Sequence, residues 1–136
     1  MDRCHELAKI LSNILNVGVV KLTILVVEDE ALINISTSES LLLEGYTVLS
    51  AHNADEAIRL LEARPDIRVI FTDIDMPGSM DGLKLAAAVR DRWPPVHIIV
   101  TSGKQTPRKT DMPEGATFLS KPYRHDTLFK AIQSYG

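Results

Sequence analysis

The feature that most constrains this chain is a repeated alternation. Short apolar blocks rich in β-branched residues are each followed by a stretch with helical spacing. Leu22–Val27 (LTILVV) is continuously apolar, which suits a strand buried on both faces. Tyr46–Ala51, Ile67–Thr72 (IRVIFT), Val96–Val100 (VHIIV) and the shorter Ala116–Ser120 repeat that signature. Between them, Ala31–Glu44 reads as a helix ended by Gly45, and Ala54–Ala63 as a helix capped by Asn53 and stopped by Pro65. A third helix starts at Asp81 or Gly82 and runs towards Trp93, where Pro94 and Pro95 end it. Asp126–Ser134 forms the last, with Leu128, Phe129 and Ile132 spaced to face a core.

Strands alternating with helices imply βαβ units and a parallel sheet, and right-handed crossovers place helices on both faces. The expected fold is α/β: a doubly wound, five-stranded parallel sheet that fits the flavodoxin-like order 2-1-3-4-5. Two segments depart from the rhythm. Lys104–Glu114 should hold a helix, yet Pro107 and Pro113 both lack the donor a helix interior needs, so a short helix or irregular loop is expected. Residues 1–20 are an extension ahead of a domain over residues 21–136. Leu7, Ile10, Leu11, Ile14 and Leu15 follow helical spacing there. That extension reads equally as a leader, loose or packed on its own domain, or as a dimerising helix, which leaves a homodimer open.

Composition narrows the function. The 136 residues suit one domain, and the net charge of −3 comes with no basic block. Nucleic acid is therefore not expected as a direct ligand, because neutralising phosphates takes clustered Lys and Arg. Cys4 is the only cysteine, so no internal disulfide and no oxidising compartment are implied. No apolar run approaches the length of a membrane span, and residues 1–20 lack a signal-peptide pattern. A cytoplasmic location and no membrane contact are expected. His5, His52, His97 and His125 have neither phosphotransfer nor metal-ligand spacing.

In an open parallel sheet, ligands bind beyond the carboxyl ends of the strands. Strand one ends in Glu28-Asp29-Glu30, strand three in Asp73-Ile74-Asp75, strand four in Thr101-Ser102-Gly103 and strand five in Lys121-Pro122. Those tips would gather an acidic cluster with one hydroxyl and one lysine. Close carboxylates repel one another and favour a hard divalent cation, for which Mg²⁺ is suited. A carboxylate can attack phosphorus to give an acyl phosphate, while metal, lysine and hydroxyl offset the transferred charge. Taken singly, Glu28-Asp29 could cap a helix, Asp73 could be a turn residue, Thr101 an N-cap and Lys121 a solvated cation. The coincidence of all four at strand ends favours the shared site.

The motifs ILVVEDE, VIFTDIDMPGSMDG, HIIVTSGK and FLSKPY resemble the receiver domain of response regulators in two-component signalling, from about Leu22 to Tyr135. The resemblance implies a phosphorylation-dependent signalling switch that changes the binding of a downstream protein, not an enzyme acting on a separate substrate; a complete single-domain chain would act through protein contacts only. It makes Asp73 the phosphoacceptor. Glu28, Asp29, Asp73 and the backbone carbonyl of Asp75 would hold Mg²⁺. Lys121 would pair with the phosphoryl group, Thr101 would move towards it, and Phe118 would be the aromatic switch residue. The bond to Pro122 would be cis. The donor would be a phosphohistidine on a sensor histidine kinase or a histidine phosphotransfer protein. Glu28 stands where aspartate is commoner, Phe118 has no hydroxyl, and Gly103 adds local freedom. Ser79 and Met80 lengthen the loop after Asp73, and the carboxylate of Asp75 is placed to influence loss of the phosphoryl group.

Two other readings compete. Asp73-Ile74-Asp75 is similar to the DxD of haloacid-dehalogenase-type aspartyl-phosphate phosphatases. Their nucleophile follows the first strand, however, and Pro77 stands where they carry Thr or Val. A phosphorylation-independent pseudo-receiver is disfavoured by the intact set Asp29, Asp73, Thr101 and Lys121.

Overall fold

A computed structural model describes Glu6 and residues 21–135 except Ser79. The reading of residues 1–20 as a helical extension, together with Cys4, His5 and the Ser79 half of the lengthened loop, lies outside the described residues. Five strands, β1 (Thr23–Val27), β2 (Thr47–Ala51), β3 (Ile67–Asp73), β4 (His97–Ser102) and β5 (Thr117–Ser120), form one parallel sheet in the order β2-β1-β3-β4-β5. The helices among the described residues are α1 (Ala31–Leu43), α2 (Ala54–Ala63), α3 (Gly82–Arg92) and α4 (His125–Gln133).

The central strands show why their sequences are continuously apolar. Leu25 and Val27 point into a core shared with α2 and α3, while Ile24 and Val26 point into the other core, under α1 and α4. Each side chain buried this way contributes about 1.5–3 kcal/mol relative to exposure. Helix boundaries follow local chemistry. The Asn53 side chain accepts from Glu56 N, and Asp81 accepts from Lys84 N, each satisfying an orphan donor of the first turn. Gly45, at φ +96°, closes α1 in a conformation open to glycine.

The segment after β4 carries no α-helix. A single 3₁₀ turn at Lys109–Asp111 lies between Pro107 and Pro113, matching the expectation from the prolines. Helix α1 departs from a simple amphipathic pattern. Asn34, Thr37 and Leu41 face inward, whereas Leu32 and Leu43 are 82% and 83% exposed and Ile35 and Leu42 also face solvent. No helix of the described residues is long and apolar enough to cross a membrane.

Candidate functional site

The parallel ladders bring the strand tips to one edge and continue one residue past them. Glu28 N donates to Ala51 O at 3.0 Å, Ile74 N to Thr101 O at 2.8 Å and Lys121 N to Ser102 O at 2.9 Å. Asp73 and Thr101 are register partners, so they belong to the strands rather than to the loops after them. Backbone pairing is indifferent to side-chain polarity, which is why the apolar runs stop short of the true strand ends.

At that edge one carboxylate oxygen each from Glu28, Asp29 and Asp73 lies within 4.8 Å of the others. Lys121 Nζ donates to Glu28 Oε1 at 2.8 Å and to Asp73 Oδ2 at 2.9 Å. Asp73 Oδ1 accepts from Asp75 N at 2.9 Å. The second oxygen of Glu28 accepts from Glu30 N at 3.1 Å. Glu28 is thus tied on both oxygens, and Asp29 is the less buried acid of the pair. Asp73 is 3% exposed and Glu28 4%, so of the three acids Asp29 alone is partly open to solvent.

Charge is concentrated here at a cost. Burial pushes the Glu28 carboxyl up to about 7, with Asp73 adding to the rise against the opposing bonds from Lys121 and Glu30. Burial would lower the Lys121 ammonium, but its bonds to Glu28 and Asp73 prevail and raise it. The lysine therefore stays charged and the acid cluster remains electron-rich, an arrangement that favours a cation with oxygen ligands.

The remaining residues singled out from the sequence surround this cluster. Thr101 is buried and its Oγ1 has no hydrogen-bond partner. A buried hydroxyl left unpaired costs about 1–3 kcal/mol, so this one sits ready to gain an acceptor. Phe118 is half-buried against the core shared with α2 and α3. The Lys121–Pro122 peptide bond is cis. The Asp75 side chain turns to the β4 tip, accepting from Ser102 Oγ at 2.5 Å and Gln105 Nε2 at 2.9 Å. Burial acts to raise its carboxyl, yet these two bonds together with the charge and backbone of Lys104 outweigh it and hold the group below the usual range.

Several supporting residues were not evident from the sequence. Asn34 Nδ2 donates to the carbonyls of Glu28 and Ala51, both at 3.0 Å, while its Oδ1 accepts from Ser38 and Ser50. It pins the end of β1 to the end of β2. Gly82 packs so closely that a Cβ there would stand 2.0 Å from Asp73 O. Tyr123 shares a hydrogen bond with Thr37 at 2.7 Å and meets Phe71 edge-on, linking α1 to the turn after β5. Beside it runs a groove of about 550 Å³ between α1 and that turn, lined in part by Ile33, Thr37, Gly103, Lys121 and Tyr123. Only the Met-Asp-Gly string before α3 and the Lys-Pro-Tyr string hinted at these contacts.

Comparison with known proteins agrees with this geometry. Residues 24–133 match the family described as the response regulator receiver domain. The chain is 31% identical over 116 residues to the response regulator protein FleR of Pseudomonas aeruginosa, covering 83% of this chain and 24% of FleR. It is also 31% identical over 115 residues to the response regulator MprA of Mycobacterium ulcerans, covering 82% of this chain and 48% of MprA. The chain thus spans less than half the length of these relatives. A response regulator receiver protein from Sinorhizobium medicae superposes with a TM-score of 0.79 at 25% identity, covering 85% of this chain and 94% of that one. TrrA of Thermotoga maritima, solved in complex with Mg(2+)-BeF, gives 0.74 at 26% identity, covering 85% and 99%. By its strand order, its edge of acids and lysine, and these matches, the chain belongs to the response regulator receiver domains of two-component systems.

Proposed function

We propose that this protein is a phosphorylation switch that accepts a phosphoryl group on Asp73 from a phosphohistidine of a sensor kinase or a histidine phosphotransfer protein. The observation that carries this reading is the Asp73 carboxylate, bound by Lys121 and ringed by Glu28 and Asp29 at the sheet's carboxyl edge. An Asp73 oxygen attacks phosphorus, the phosphorus–nitrogen bond breaks, and the imidazole leaves with the electron pair and takes up a proton. The product is an acyl phosphate, which water returns to carboxylate and inorganic phosphate. Lys121 is placed to hold a phosphoryl oxygen, and the unpaired Thr101 hydroxyl to donate to another. Phe118 would answer the movement of Thr101, shifting the population between two conformers.

The donor set consists of oxygens alone, three carboxylates and a backbone carbonyl, which fits Mg²⁺. Glu28, Asp29 and Asp73, with the Asp75 carbonyl, would hold it. When bound, the ion offsets repulsion between the nucleophile and the incoming phosphoryl group. The donor must cover the rim of the site, where exposed Leu32 and the neighbouring groove supply apolar surface for a protein to bury. The protein would then act in the cytoplasm on a downstream protein, with no turnover of a separate substrate.

The test is incubation with Mg²⁺ and acetyl phosphate, followed by intact mass measurement. Wild type should gain one phosphoryl group and Asp73→Asn none. An adduct that persists in the Asn variant overturns the assignment.

A further inference from the structure

Asp75 connects three things at once. Its backbone N–H donates to Asp73 Oδ1 at 2.9 Å. Its carboxylate accepts from Ser102 Oγ at 2.5 Å and from Gln105 Nε2 at 2.9 Å. Ser102 Oγ in turn accepts from the N–H groups of Lys104 and Gln105, each at 3.1 Å. Ser102 is 1% exposed and follows Thr101 directly in β4. The segment that follows has only one 3₁₀ turn to organise its own backbone. Its first residues are therefore fixed largely from outside, by Ser102 and Asp75.

Resting on the reading of Asp73 as phosphoacceptor, we propose that Asp75 is a positioning residue: with Ser102 and Gln105 it forms a latch that holds the β4–β5 connection in its unphosphorylated arrangement. Both ends of the latch answer to Asp73. Phosphorylation turns a charged acceptor for the Asp75 N–H into a neutral ester-like oxygen, which weakens that bond. Movement of Thr101 towards the phosphoryl group carries the adjoining Ser102 peptide with it and draws its hydroxyl from Asp75. Opening frees residues 103–108 to change partner contacts. In the unphosphorylated protein both Asp75 oxygens are engaged by protein donors, so there the carboxylate acts through the loop.

The experiment uses the full chain, with Ser102→Ala, Asp75→Ala and the double variant. Hydrogen exchange across residues 103–108 is followed in unphosphorylated protein with chelator, and the initial rate of Asp73 adduct formation is followed with acetyl phosphate and Mg²⁺. Each single variant should speed exchange and adduct formation by about fivefold, the factor that about 1 kcal/mol represents at room temperature. The double variant should gain no more than either single one. Ser102→Ala changes no charge, so its agreement with Asp75→Ala separates a latch from an electrostatic effect on the nucleophile. An effect of Asp75→Ala alone, additive effects, or unchanged exchange in Ser102→Ala each overturn the proposal. Wild type that forms no adduct defeats the phosphoacceptor reading instead, and exchange then decides the latch by itself.

Discussion

Replacing Gly82 with Ala sets two effects of opposite sign against each other. Alanine at the start of α3 gains helix propensity and restricts the unfolded chain, together worth up to about 1 kcal/mol in favour of the folded state. Against this, the added Cβ would lie 2.0 Å from Asp73 O and 2.7 Å from Asp73 C and Ile74 Cα. Ordinary contact begins at 3.4 Å, so α3 and the end of β3 must separate by about 1.4 Å. The opposing atoms are backbone, held by the bonds of Ile74 N to Thr101 O and Gly82 N to Ile74 O. No flexible side chain is present to yield. Overpacking costs about 1–3 kcal/mol, and a rigid backbone contact belongs at the upper end, so a net loss of about 2 kcal/mol is expected. With a urea dependence of about 1–3 kcal/mol per molar, the unfolding midpoint should fall on the order of 1 M. Adduct formation at Asp73 should fall too, because the backbone displaced is its own. Gly78→Ala is the comparison: φ is +113° there, but nothing lies within 4 Å of an added Cβ. A Gly82→Ala midpoint at or above wild type would refute the steric argument and leave helix propensity in control.

Two further outcomes follow from the site. Glu28 titrates at about 7 in the folded protein against 4.5 as a free side chain. The folded state therefore binds more protons than the unfolded state between those values, and stability falls as pH rises from about 4.5 to 7. Urea midpoints measured in chelator should show a loss of about 1–3 kcal/mol over that window, and Glu28→Gln should remove this component; equal slopes in both proteins would refute it. Asn34→Ala strands the carbonyl of Glu28 and removes the acceptor of the Ser50 hydroxyl, while Ala51 O keeps Glu28 N, and should cost about 1–3 kcal/mol. It should also weaken Mg²⁺ binding measured by calorimetry, and undiminished affinity would show that Asn34 supports the fold without positioning the acids.

The parts of the fold legible in the sequence were those with a local signature. Strands buried on both faces give unbroken apolar runs, so β1, β3 and β4 could be read directly, and the edge strands β2 and β5 less sharply because their residues are half-exposed. Helix starts at Asn53 and Asp81 followed from capping chemistry. The strand tips were harder to bound: Asp73, Thr101 and Ser102 are polar, yet they pair as strand residues because the ladder uses only backbone. Asn34 was invisible for a different reason. Helix periodicity assigns leucines inward, whereas α1 turns Leu32 and Leu43 to solvent and buries Asn34 against two carbonyls. The close approach of Gly82 to Asp73 and the reach of Asp75 to Ser102 depend on how neighbouring strands are set side by side, which no local pattern encodes.

The charge balance at the sheet edge links these separate observations. One ammonium, on Lys121, faces three carboxylates, and it is already committed to Glu28 and Asp73. A phosphoryl group on Asp73 would carry nearly two negative charges where the carboxylate carried one, a net gain of about one in the same space. Lys121 has three donors, two of them engaged, and drawing the ammonium towards the phosphoryl oxygens would lengthen its bond to Glu28. That leaves Glu28 buried with Glu30 N as its remaining donor, a costly state unless it takes a proton or gains a cation. Near pH 7 Glu28 is poised for either. If Asp73 is the phosphoacceptor, Glu28 would make phosphorylation and cation binding mutually dependent, since each would remove a penalty that the other would meet alone.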